Sequence, residues 1–169
     1  MKENDLAFAE NRRQFYENHY RVAEPIDTWH AYAQDVVHST TKSWFYDIGV
    51  AKGGMILNAG SGGSDYGINF PMIHLDLLAD RIAQFPNSIV GDISSIPLED
   101  SSIDAILCVG SVLNYGNPML AIGEFQRVLR PGGTLILEYE RSGSAEYWGT
   151  HGPSSACVRL RAEPHGCGP

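Results

Sequence analysis

The hydrophobic pattern of the chain changes character near residue 55. Before that point apolar and aromatic residues recur at helical spacing. Leu6, Phe8, Phe15, Tyr16 and Tyr20 predict a helix over residues 5–24. Glu24-Pro25 interrupts it, because a residue before proline avoids helical geometry. Asp27 is placed to cap a second helix through Trp29, Tyr32, Val36 and Val37. Trp44, Phe45 and Ile48 predict a third, ending at Gly53-Gly54.

From residue 55 onward short apolar runs alternate with polar, glycine-rich or helical stretches. The runs are Met55-Ile56-Leu57, Met72 to Leu75, Ile89-Val90, Ala105 to Val109 and Thr134 to Tyr139. Runs without polar alternation suit a parallel sheet covered on both faces. Between the last two lies a marked helix, with Asn117 as N-cap and Pro118 at its first position. Ala121, Phe125, Val128 and Leu129 share one of its faces, and Pro131-Gly132-Gly133 stops it. The alternation predicts a doubly wound α/β sheet of about five parallel strands. Three segments follow: an N-terminal helical cap with the first sheet-packing helix (1–54), the sheet-bearing core (55–141) and an irregular tail (142–169).

Composition narrows the function. The 169 residues suffice for one hydrophobic core. A net charge of -8 disfavours nucleic acid, whose phosphates need clustered Lys and Arg. No run of about 18 apolar residues predicts a membrane span, and MKENDLAFAE lacks an apolar leader. Cys108, Cys157 and Cys167 form no CxxC pair, so neither a disulfide framework nor a metal site is expected. The expected compartment is reducing and cytoplasmic.

Candidate chemistry collects at strand ends. Asn58-Ala59-Gly60-Ser61-Gly62-Gly63-Ser64 follows the first strand, where open α/β sheets bind ligands. The plain alternative is a tight turn without a ligand. Gly62 to Gly67 has P-loop glycine spacing, but Ile68-Asn69 replaces the phosphate-gripping Lys and Ser/Thr. A dinucleotide GxGxxG fits Gly60 and Gly62, yet Asp65 replaces the third glycine and would repel a pyrophosphate. Asp76 closes the second strand and can accept two hydrogen bonds from a ribose diol. Asp92 closes the third, where it can meet an exocyclic amine while Ile93 packs on a base. For both aspartates an ordinary strand-end or turn role is the alternative.

These pieces together resemble the class I S-adenosylmethionine-dependent methyltransferases, in their small-molecule, Rossmann-like branch. ILNAGSGGSDYG resembles the first motif of that family. Gly91-Asp92-Ile93 with Ile96 to Asp104 resembles its third-to-fourth strand segment, and FQRVLRPGGTLILE its helix and fifth strand. The resemblance implies S-adenosylmethionine as cofactor. It places Gly60, Ser61 and Gly62 beside the methionine part, Asp76 on the ribose hydroxyls and Leu77 beside the adenine. It sets Asp92 and Ile93 on the adenine, and Val109 and Gly110 as the floor under the sulfonium. The chain departs from the family at Asn58, where an acid is usual; an amide offers the ammonium group a hydrogen bond but no charge.

The resemblance implies methyl transfer to a small molecule. The alternatives are a cofactor-binding protein without catalysis and, further off, a nicotinamide-dependent oxidoreductase. No catalytic base stands out. Asn114 and Tyr115 are the best-placed pocket candidates, with Tyr16, His19 and Tyr20 as a lid. His30, His38 and His74 read as structural, and Cys108 as a small buried apolar residue. After Ser155 the pattern reads as breakers and charges, whereas the family continues with two more strands. The chain is thus expected to stop after the fifth strand, leaving that strand as an exposed edge through which copies could pair.

Overall fold

The computed structural model describes residues 28–140 and 155–161, together with Gln14. Apart from Gln14, the expected first helix, its lid residues Tyr16, His19 and Tyr20, and the Asp27 cap lie outside the described residues, as do the side chains of His30 and Tyr115.

One helix, α1 (Thr28–Ile48), replaces the two expected between Asp27 and Gly53. The intervening Ser39 and Thr41 do not break it. Their hydroxyls donate to the carbonyls of Val36 and Val37 at 3.0 and 2.8 Å, so they are satisfied inside the helix. The helix ends before Gly49, whose N–H closes onto the Tyr46 carbonyl at 3.3 Å.

The sheet comprises β1 (Ile56–Ala59), β2 (Ile73–Asp76), β3 (Ser88–Val90), β4 (Ile103–Cys108), β5 (Leu129–Glu140) and β6 (Ser155–Arg161), in spatial order β3-β2-β1-β4-β5-β6. The first five are parallel, as the apolar runs predict. A short helix, α2 (Ala79–Ile82), follows β2. A 3-10 turn (Val112–Tyr115) and α3 (Pro118–Val128) link β4 to β5. The Asn117 side chain caps α3 by accepting from Met119 and Leu120 N–H groups, as expected.

The tail departs from expectation. Residues 155–161 are not an irregular segment: they form β6, antiparallel to β5, with Leu135 opposite Leu160 and Leu137 opposite Val158. The sheet therefore has six strands, and β5 is not an exposed edge free to pair with a second copy. The reason lies in the kind of strand. Ala156, Val158 and Leu160 alternate with Cys157, Arg159 and Arg161, which is the period-two pattern of an antiparallel edge. The doubly buried runs of β1, β2, β4 and β5 are a poor template for it.

Alternation along β4 divides the core between the two faces. Ile106 and Cys108 belong to one cluster with Ala121, Phe125 and Val128 of α3. Ala105, Leu107 and Val109 belong to the other, with Phe45 of α1 and Tyr66. Phe125, 1% exposed, contributes about 2–3 kcal/mol by burial alone. Among the described residues no helix is long and apolar enough to cross a membrane.

A single arginine ties α3 to the segment between β3 and β4. Arg127 Nε and Nη2 donate to both oxygens of Glu124 at 2.8 Å, Nη2 also to the Ile96 carbonyl at 2.7 Å. Nη1 donates to the Leu98 carbonyl at 2.7 Å and to Asp100 at 2.8 Å. All five N–H groups are thus used. The same contact holds the Glu124 carboxyl below the usual carboxylate range. Lysine cannot reproduce this planar fork. Arg127→Lys should therefore cost about 1–2 kcal/mol, a figure held low because the pair is partly exposed. Urea unfolding should show a lower midpoint at an unchanged slope; an unmoved midpoint would remove Arg127 from the framework.

Candidate functional site

The strand order reverses between β1 and β4, the place beyond the strand carboxyl ends where open α/β sheets bind ligands. Gly60 begins the β1 loop with φ +72°, and a Cβ there would lie 2.4 Å from Val112 Cγ1 of the 3-10 turn. Only glycine permits both that dihedral and that approach. The N–H groups of Gly60 and Ser61 donate to the Leu75 carbonyl at 2.8 and 3.0 Å, locking the loop to β2.

Beneath this loop lies a buried polar network. Asn58 is fully buried, and its Nδ2 donates to the Ser64 carbonyl at 2.7 Å. Ser61 Oγ lies 2.8 Å from His74 Nδ1, and the His74 ring stacks on Phe85 at 3.5 Å. The Ser61 side chain is therefore turned into the protein, 2% exposed. Asn58 Oδ1 is the one sealed side-chain polar atom without a partner among the described residues. His74 is structural, as expected; His38 likewise packs edge-on against Tyr66 at 5.0 Å.

Asp76 serves the loop directly. Its Oδ2 accepts from the Gly62 N–H at 2.7 Å and its Oδ1 from the Leu78 N–H at 2.9 Å. Both oxygens retain acceptor capacity on a half-buried carboxylate. Gly62 is exposed, and nothing lies within 4 Å of where its Cβ would be. Leu77 is half-buried beside it. Asp92 accepts from both the N–H and the hydroxyl of Ser94 at 2.8 Å, a turn role that leaves it half-buried at the end of β3. Ile93 is 7% exposed and packs with Leu75 and Ile96 in the α3-side core.

At the end of β4, Val109 is buried at 2% exposure, whereas Gly110 is exposed with φ +87° and open space at its Cβ position. Glu138 of β5, only 2% exposed, accepts the Gly110 and Ser111 N–H groups on one oxygen, Oε2, at 2.8 and 2.6 Å. Glu138 is absent from the sequence-predicted set. The signal was an acid inside the apolar run Leu135 to Tyr139, level with the other strand ends. Asn114 is exposed on the following turn. Burial, followed by the charge of Glu138, pushes the Cys108 thiol up to about 12, so Cys108 is no nucleophile. Burial, then Cys108, Glu138 and Asp76, likewise push the Tyr66 phenol well above its ordinary value.

Burial also pushes the His74 imidazole below its ordinary 6.5, and Asp65 offsets this only in part. Above that pH folded and unfolded chains are both neutral at His74. Below it the unfolded chain binds the proton first, so stability falls as pH falls toward the lowered folded value. Thermal unfolding from pH 6.5 down to about 5 should show this loss. His74→Asn, which keeps a hydrogen-bonding atom near the Nδ1 position without titrating there, should flatten the slope. An unchanged slope would assign the loss to other groups.

A family model described as a methyltransferase domain matches residues 46–137, more than half of the chain. An uncharacterized methyltransferase of Mycobacterium tuberculosis is 38% identical over 74 residues, covering 44% of this chain and 30% of that protein. An uncharacterized protein of Methanocaldococcus jannaschii is 30% identical over 89 residues, covering 49% of this chain and 39% of that one. The chain thus spans well under half the length of these relatives. In fold it is similar to a Pyrococcus horikoshii protein at 20% identity, with a TM-score of 0.54 over 73% of this chain and 66% of that one. It is also similar to the cyclase SpnF at 20% identity, with a TM-score of 0.55 over 70% of this chain and 48% of that one. The domain match spans the glycine loop, the ends of β2 to β4 and most of β5, and on that ground the chain belongs to the methyltransferase domain family.

Proposed function

We infer that the crevice between the β1 and β4 loops binds S-adenosylmethionine, the cofactor expected of the family, and serves methyl transfer to a small-molecule acceptor. One observation carries the reading: Asp76 grips the open Gly62 backbone while keeping free acceptor positions. The donor and acceptor set fits the group. Asp76 would take the ribose hydroxyls, with Leu77 beside the adenine. Asp92 would meet the exocyclic amine, and Ile93 would supply an apolar edge. Gly60 and Gly62 would let the methionine part approach the backbone, with Ser61 shaping the loop from below. Asn58 is sealed beneath the loop, so its Oδ1, which lacks a donor, would meet an ammonium group only through a shift of the loop that uncovers it. Val109 and Gly110 would form the floor.

When bound, the cofactor supplies an already activated methyl group. The chain's task is then to hold an acceptor in line, at about 3–3.5 Å, and to exclude water. A base is needed only if the acceptor's proton must leave early. Tyr66 and Cys108, the buried protic groups near the crevice floor, hold their protons too tightly to serve. The amide at Asn58 favours a second reading, binding without catalysis. An acceptor screen on cofactor-loaded protein separates the two, and tight nicotinamide binding would overturn both.

Asp76→Ala removes the ribose acceptor and the anchor of Gly62. Affinity for S-adenosylhomocysteine, measured by calorimetry, should fall by about 1.5–3 kcal/mol. An unchanged titration would place the cofactor elsewhere.

Asn58→Asp sets a carboxylate oxygen against the Ser64 carbonyl, where the amide now donates at 2.7 Å. Unliganded protein should lose about 1–3 kcal/mol of stability. S-adenosylhomocysteine should raise the melting temperature of this variant more than that of the parent, because its ammonium meets the new charge. Equal stability without ligand would mean that the loop re-forms around the acid.

A further inference from the structure

Glu138 is the one buried carboxylate among the described residues. It lies just past the Cys108–Leu137 register pair, at the level where β4 gives way to Gly110. Among the described residues no cation pairs with it; its partners are the two N–H groups of the turn, both held by Oε2. Among the described residues Oε1 makes no hydrogen bond. An amide oxygen in the place of Oε2 would hold the same two N–H groups. Shaping the turn thus requires an acceptor but no charge, while burying a charge is costly. The charge acts on its surroundings, raising the neighbouring Cys108 thiol after burial has done so. The β1 loop, by contrast, carries the neutral Asn58.

We propose that Glu138 is a positioning and specificity residue: its carboxylate sets the Gly110–Ser111 turn, and its buried negative charge favours a sulfonium-bearing ligand over the uncharged thioether left after methyl loss. The proposal rests on the reading of the crevice as the S-adenosylmethionine site. It assigns to this residue the discrimination between cofactor and spent product, and hence the release of the product.

The test compares S-adenosylmethionine with S-adenosylhomocysteine by calorimetry on the full chain, as parent, Glu138→Gln and Glu138→Ala. The glutamine variant should hold S-adenosylhomocysteine within about twofold of the parent while losing about tenfold in affinity for S-adenosylmethionine, the factor carried by one charged contact. The alanine variant should lose affinity for both, because the turn loses its acceptor. Equal losses for both ligands in Glu138→Gln would reduce the residue to a structural role and overturn the proposal, as would no loss for either. Binding of neither ligand by the parent would overturn the reading of the crevice itself, a result distinct from equal losses. The parent also provides a second measurement that holds even if the variants do not fold. It should bind S-adenosylmethionine at least as tightly as S-adenosylhomocysteine, and a tenfold preference for the latter would overturn the proposal.

Discussion

Strands β1, β2, β4 and β5 are largely enclosed between helices and loops on both faces, so a polar side chain can find water or a partner only near the strand ends. The carboxyl ends carry Asn58, His74, Asp76 and Glu138. Register sets them on two levels: Asn58 lies opposite His74 and Leu107, while Asp76 and Glu138 stand two residues further along β2 and β5. None of these groups could be moved inward by two residues without burying an unmatched charge or amide, at a cost of about 1–3 kcal/mol for each lost partner.

The two ends of the sheet satisfy their acids differently. At the amino ends of β1 and β4, Asp104 accepts both from Arg130 at 2.7 Å and from the Met55 N–H at 2.7 Å. There a cation neutralises the acid and the arrangement is structural. At the carboxyl ends, Asp76 and Glu138 accept backbone N–H groups of the glycine-bearing loops. An amide group stabilises an anion without cancelling its charge, so this end of the sheet keeps a negative potential. Such a potential supports the reading of a positively charged ligand.

The fold by itself does not choose the reaction. A cyclase shares it at 20% identity, and sites grafted on a common frame set the chemistry. In this chain the neutral Asn58 at the β1 loop is combined with the buried acid Glu138 on β5. Asp76 and Glu138 thus place carboxylates at both the β1 loop and the β4 turn.

Much of the frame was legible in the chain. The five apolar runs, the Asn117 cap and the glycine loop are local signals, because strand burial, capping and positive φ are set by neighbours in sequence. Asp76 and Gly110 could be placed at strand ends for the same reason. The single α1 helix was less legible, since its apolar points fall into two groups, Trp29 to Val37 and Trp44 to Ile48, separated by a polar stretch whose Ser39 and Thr41 hydroxyls bond to the preceding turn. Strand β6 was missed because an edge strand shows only half the apolar signal of its buried neighbours. Glu138, the inward turn of Ser61 and the unmatched Asn58 Oδ1 depend on contacts between residues 3 to 28 positions apart. The sequence by itself determined which segments become strands and where their polar ends fall. Only the tertiary structure decided which polar group meets which backbone, because pairing across β1, β4 and β5 is set by register, and register exists only once the sheet has formed.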